Sequence, residues 1–125
     1  MKSDEHKAIA QLYFEVAKSK DKEYEIEADP VKKKALMVVA AQNYFYGAIN
    51  VIDFIFAGIK TPVHPFNHEN RMRSLLEFRL EFNDRLIELF DKVDRDTRNK
   101  VAYRGENGKH YKLVKELANE AMKEI

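Results

Sequence analysis

Three features of the 125-residue sequence predict an all-α fold, an up-and-down bundle of four to five helices. Apolar residues recur at spacings of three and four, the helical period, and nowhere alternate as a half-buried strand would. Gly and Pro, which interrupt helices, number only four and three. Lys, Glu, Ala and Leu are abundant, and these residues lose little conformational freedom on entering a helix. The length suits one domain over residues 1–125 with a single core.

Ser3 or Asp4 is the expected cap of the first helix, with acids in its first turn complementing the helix dipole. Ile9, Leu12, Tyr13, Val16 and Ala17 form its expected apolar face, which Tyr24 extends. The charged run from Lys18 to Glu27 reads as a solvated surface. Asp29-Pro30 opens the second helix, because Asp accepts from the first orphan amides and Pro has no N–H to lose. That helix runs to about Ile59. Leu36, Val39, Ala40, Phe45, Ala48, Ile49, Val51, Ile52, Ile55 and Phe56 make it apolar on most sides, as expected of a helix buried against several neighbours. Gly47 is where another chain segment can come close.

Residues 60–68 hold two of the three prolines and form the main interhelix loop. Asn67 is the expected cap of the third helix, with Leu75, Leu76, Phe78, Leu80 and Phe82 on its apolar side. Asn83-Asp84 either caps a new helix or lies within a continuous rod. A fourth helical stretch over 84–104 carries Leu86, Phe90, Val93, Thr97 and Val101 as a heptad-like seam, and Gly105 ends it. The last helix starts near Lys109 and turns Tyr111, Val114, Leu117, Ala118, Ala121, Met122 and Ile125 inward.

Composition narrows the function classes. A net charge of +1 excludes a polyanion binder that works through overall charge. The absence of Cys excludes disulfides and thiolate metal sites and fits a cytoplasmic protein. The charged N-terminus has no apolar run behind it and does not read as a secretory signal. Residues 35–59 are long and apolar enough to span a bilayer, but Gln42, Asn43, Asn50 and Asp53 interrupt them. A buried helix without a membrane partner is therefore expected. His64 and His68 are separated by Pro65, so they do not share a helical face, and no metal site is expected. No phosphate-binding glycine loop, dinucleotide fingerprint or nucleophile elbow occurs, and no cofactor is expected.

Two constellations carry chemistry. Asn43, Tyr46, Asn50 and Asp53 recur at three, four and three on the second helix, so they share one stripe. They line a binding cleft, or they form a satisfied hydrogen-bond network that fixes helix register. The other constellation is residues 97–104, Thr-Arg-Asn-Lys-Val-Ala-Tyr-Arg. Arg98 is either the partner of Asp53 or a bidentate phosphate clamp. Around it, residues 95–115 gather Arg95, Arg98, Lys100, Arg104, Lys109, Lys112 and Lys115 against Asp96 and Glu106. Such a basic surface beside Tyr103, His110 and Tyr111 suits RNA or nucleotide phosphate, and it also complements a helix C-terminus.

An Arg-Asn pair, four further residues from Arg98 and then an end to the helix resemble the signature of HEPN domains, with Tyr103 standing where the family has His. The resemblance covers helix order over most of the chain and about eight residues at the motif. It implies a homodimer whose two copies form a metal-independent RNA cleft. Arg98 would contact phosphate, Asn99 would orient it, and Tyr103 would take the place of the acid–base His. Arg95, Arg104, Asn50, Asp53 and His110 would complete the substrate contacts. The implied setting is a prokaryotic toxin–antitoxin or defence module with a nucleotidyltransferase-type partner. A free Tyr titrates near ~10 against ~6.5 for His, so Tyr103 suits hydrogen bonding or base stacking better than proton abstraction. His110 as a displaced base would need to fold back over the Gly105–Gly108 turn. From a different class, a non-enzymatic helical adaptor that binds only protein accounts for the near-neutral charge and the aromatic content.

Overall fold

The structure is a computed structural model that describes residues 1–59, 64–65, 68–97 and 108–125. Among these residues are five α-helices and no strand: α1 (Ser3–Ile26), α2 (Pro30–Gly58), α3 (His68–Glu77), α4 (Asp84–Lys92) and α5 (Gly108–Met122). A short 3-10 turn, Arg79–Glu81, follows α3, and a wider π-type turn, Val93–Thr97, extends α4.

Side-chain pairings give the topology. His6 meets Asn50 and Lys33 lies over Tyr24, so α1 and α2 run antiparallel. Phe82 packs against Phe56 and Phe90 stacks on Phe45, so α4 runs back along α2. Asn83 bonds Glu120 and Glu124 while Arg85 pairs with Glu116, so α5 returns beside α4. The result is an up-and-down four-helix bundle, with α3 inserted in the connection from α2 to α4. Phe45, Phe56, Phe90, Ile52, Leu75, Leu86 and Leu117 are its largest fully buried side chains.

Local chemistry explains the helix starts. Asp29 Oδ2 accepts from the Lys32 amide at 3.2 Å, with Pro30 in the first helical position, as its sequence predicts. Asn83 Oδ1 accepts from the Leu86 amide at 2.9 Å, so Asn83 caps a new helix and the chain is not one rod from α3 to α4. At α1 the cap sits one residue earlier than expected. Lys2 is the cap residue and its amide donates to Glu5 Oε2 at 2.9 Å, while the Ser3 hydroxyl crosses to the Phe54 carbonyl at 3.1 Å. The stretch read as helix 84–104 is α-helical only to Lys92 before the π-type turn, and residues 98–104 lie outside the described residues, as does Asn67.

The packed face of α1 keeps Ala17 and Tyr24 of the expected one and differs in the rest. Ala10, Phe14 and Ala17 are buried, whereas Leu12 is 62% exposed and Val16 44%. Gly47 explains this choice. A Cβ there would sit 2.6 Å from Phe14 Cδ1 and 2.9 Å from Cζ, so Phe14 fills the space that Gly47 leaves open, with Ala10 and Ala17 on the same core-facing side. The closest seam between α1 and α2 is thus set by small residues, and the larger aliphatics of α1 are turned away. On α2, Val39 is exposed as well. Leu76 is exposed on α3, and the tighter turn that follows the end of α3 at Glu77 leaves Leu80 in solvent. By length and composition α2 is apolar enough to cross a bilayer, and half of its apolar window is buried inside this bundle.

Candidate functional site

The helix directions separate two ends of the bundle, and the expected site residues fall at both. Where α1 ends and α5 begins, Asp21 is the centre of a polar and aromatic cluster. The Tyr111 hydroxyl donates a short hydrogen bond to Asp21 Oδ1, and Lys115 Nζ lies 3.4 Å and 3.5 Å from its two oxygens. The same ammonium is 4.7 Å from the Tyr111 ring centroid, a cation–π contact. Tyr24 meets Tyr111 edge-on at 5.3 Å and carries Lys33 over its own ring at 4.7 Å. Tyr44 closes the group at 6.5 Å from Tyr111.

Burial, then the Asp21 carboxylate, push the Tyr44 phenol up to about 12. Burial first, then the hydrogen bond to Asp21, push the Tyr111 phenol up as well. Both phenols therefore keep their protons, and the Tyr111 hydroxyl acts as a hydrogen-bond donor, not as a base. Its role in the geometry is to hold Asp21 and, through it, Lys115. Above them opens a groove of about 420 Å³ lined by Tyr24, Gly108, Tyr111, Lys112, Lys115, Glu116 and Asn119. It offers the half-buried Tyr24 ring, the Lys112 ammonium, the Asp21-paired Lys115 ammonium, the Asn119 carboxamide and the Glu116 carboxylate beside the start of α5. Those groups can hold a phosphate and a flat ring together.

The groove begins at Gly108, the first described residue after 98–107. Arg98, Asn99, Tyr103 and Arg104 lie outside the described residues. Arg95 is exposed on the π-type turn and its Nε pairs with Asp91 Oδ1 at 2.8 Å, one helical turn back. His110 is half-buried in the first turn of α5.

Asn50 and Asp53 are elsewhere. Asp53 accepts from Arg71 Nε and Nη2, both at 3.0 Å, so both its oxygens are occupied by an arginine of α3. Asn50 Nδ2 donates to the Tyr46 carbonyl at 2.9 Å, which orients the amide so that Oδ1 faces His6 Nδ1 at 3.3 Å. The hydrogen on that bond therefore belongs to His6 Nδ1, and in the neutral ring Nε2 keeps its lone pair. His6, Asp53, His64 and Pro65 line a small pocket of about 200 Å³. Measured along α1, from His6 to Asp21, the two ends are about 22 Å apart at 1.5 Å per residue. Asn50 and Asp53 thus do not share a cleft with His110 and Tyr111. The polar stripe of α2 is largely satisfied inside the chain, and Asn43 likewise donates to the Val39 carbonyl at 2.8 Å.

Sequence reasoning placed Tyr24 on the apolar face of α1 without giving it a part in the site, read Asp21 as solvated surface and passed over Arg71. A signal for the first two is present: Ala10, Phe14, Ala17, Asp21 and Tyr24 recur at four, three, four and three, which puts Asp21 on the core face despite its charged neighbours. Arg71 carries no such local mark. Among the described residues no group of three or more His, Asp or Glu side chains is arranged to hold a metal ion. Compared with family models, curated proteins and solved structures, the chain matches none.

Proposed function

We propose that the chain is a HEPN-like, dimeric helical bundle that binds RNA or nucleotide phosphate at the end where α4 finishes and α5 begins. The observation that supports this is the groove of Tyr24, Lys112 and Lys115, which opens at Gly108, five residues after Tyr103 in the sequence. Aromatic faces stack on bases and lysines neutralise phosphates, so the groove has the chemistry that the resemblance calls for. Arg98, Asn99 and Arg104 contact the phosphate in this proposal, and Arg95 and His110 are near the same end. Asn50 and Asp53 take no part. With Tyr103 in the place of His, the chain binds RNA and cleaves it weakly or not at all. A nucleotidyltransferase-type partner in a toxin–antitoxin or defence module is the setting that the resemblance implies.

The test is fluorescence anisotropy with a labelled single-stranded RNA, run with EDTA and across a salt series. Wild type should bind, more weakly as salt rises. Arg98→Ala should abolish binding and Lys112→Glu should weaken it roughly tenfold. No binding by wild type, or binding indifferent to both substitutions, overturns the proposal. Tyr103→His should raise metal-independent RNA cleavage above wild type if the segment holds the family's acid–base position.

A non-enzymatic adaptor role is favoured by a different observation, the exposed apolar side of α1, with Leu12 at 62% and Val16 at 44% exposure.

A further inference from the structure

The outward side of α1 is an ordered pattern, not a scatter of apolar residues. Ile9, Leu12, Tyr13 and Val16 follow at three, one and three, so they form one stripe, and with Asn43 they line an apolar groove of about 240 Å³. Tyr13 meets Tyr46 of α2 at 5.6 Å, and Tyr46 and Val39 are 38% and 39% exposed, which widens the surface onto the second helix. A helix that already buries Ala10, Phe14 and Ala17 on its core side has no need of this second apolar face for its own packing.

The charges that bracket the stripe say what covers it. Lys2 and Glu5 stand at its N-terminal end, and Lys20 and Glu23, themselves paired at 3.1 Å, stand at its C-terminal end. Two such helices laid antiparallel about the midpoint between Leu12 and Tyr13 place every residue opposite the one whose number completes 25. Ile9 then faces Val16, Leu12 faces Tyr13, Glu5 faces Lys20 and Lys2 faces Glu23. Laid parallel, the same stripe sets Glu5 against Glu5 and Lys20 against Lys20. The pattern is self-complementary in one orientation only, which is the property of a two-fold interface. The spacing of Lys2, Glu5, Ile9, Leu12, Val16, Ser19 and Glu23 at alternating three and four is also that of a helix–helix seam with a short apolar centre and charged ends.

We propose that the α1 face centred on Leu12 and Tyr13 docks antiparallel on the same face of a second copy, with Glu5–Lys20 and Lys2–Glu23 pairs closing both ends. This interface goes beyond the function proposed above: its two-fold axis sends the Asp21 ends of the two copies in opposite directions, and it uses none of the RNA-binding residues. A mass measurement reads it separately from RNA anisotropy.

Sedimentation equilibrium over a concentration series tests it, with far-ultraviolet circular dichroism as the check on folding. Wild type should sediment as a dimer. Leu12→Asp should raise the dimer Kd at least roughly 100-fold, because it buries a charge at the two-fold axis. Its helicity should be unchanged, since Leu12 is 62% exposed within the chain. Glu5→Lys and Lys20→Glu should each weaken the dimer roughly fivefold, and together they should restore it, since each reversed charge again meets an opposite one. Restoration cannot come from the lost Glu5 cap of the Lys2 amide, which only the first substitution removes and the second does not repair. A wild type that stays monomeric at every concentration, a Leu12→Asp dimer as tight as wild type, or a double variant weaker than both singles overturns the proposal.

Discussion

Removing one half of the Asp53–Arg71 pair should cost more stability than any other single polar substitution among the described residues. The two side chains are 12% and 10% exposed, and two parallel hydrogen bonds of 3.0 Å join them. Asp53→Ala leaves a guanidinium with little access to water and no acceptor, and breaking a buried pair in this way costs about 3–5 kcal/mol. The slight exposure of both groups lets some water reach the arginine, so the lower end, about 3 kcal/mol, is the expected loss. Against the ~5–15 kcal/mol that holds a typical domain together, this is a large fraction. The pair also joins α3 to α2, and α3 buries few side chains of its own, Leu75 and Arg71 among them. Hydrogen exchange should therefore accelerate in α3 more than in α1. The assay is urea unfolding followed by circular dichroism, with exchange measured on the same variants. The double variant Asp53→Leu with Arg71→Met should recover most of the loss, because it removes both desolvated charges and keeps the volume. A loss below about 1 kcal/mol for Asp53→Ala, the value of a solvent-exposed pair, would refute the claim that this pair is desolvated.

Two further outcomes follow from the packing and the tyrosine cluster. Gly47→Ala should lower stability by about 1–2 kcal/mol, because the added methyl meets the Phe14 ring at 2.6 Å and 2.9 Å, and this exceeds the ~1 kcal/mol gained in helix propensity; a rise in the urea midpoint would show that Phe14 moves aside freely. Stability should also fall in alkali. The Tyr44 phenol titrates near 10 in the unfolded chain and about 12 in the folded one, so above pH 10 the unfolded state loses its proton first. The contribution of Tyr44 is then complete below pH ~10 and is lost at about 1.4 kcal/mol per pH unit up to ~12, with Tyr111, also raised, steepening the fall. Urea midpoints measured from pH 8 to 11 should show this slope, and Tyr44→Phe should reduce it; a flat wild-type profile would contradict the shared environment of the two rings.

Elements that depend on local chemistry were legible in the sequence. Asp29-Pro30 marks the start of α2 because the cap and the fixed proline torsion act within four residues. The seam Leu86, Phe90 and Val93 and the inward face of α5 follow from the 3.6 period alone, and so does the all-α, up-and-down architecture. The site was legible only in outline: Tyr111 and Lys115 were named as part of a basic stretch, but their acceptor, Asp21, was hidden in a run of lysines.

What the sequence by itself determined, then, is where the helices lie and that they bundle, because caps, breakers and periodicity are properties of a few neighbouring residues. Which of two apolar stripes on α1 enters the core was decided by tertiary structure, since the choice depends on Gly47 meeting Phe14 across a helix pair. The partner of Asp53 was decided in the same way: Arg71 is eighteen residues away and arrives only when α3 folds across α2. The separation of Asn50 and Asp53 from His110 has the same origin, for a stripe on one helix fixes which residues share a face and leaves open which end of the bundle another helix brings to it.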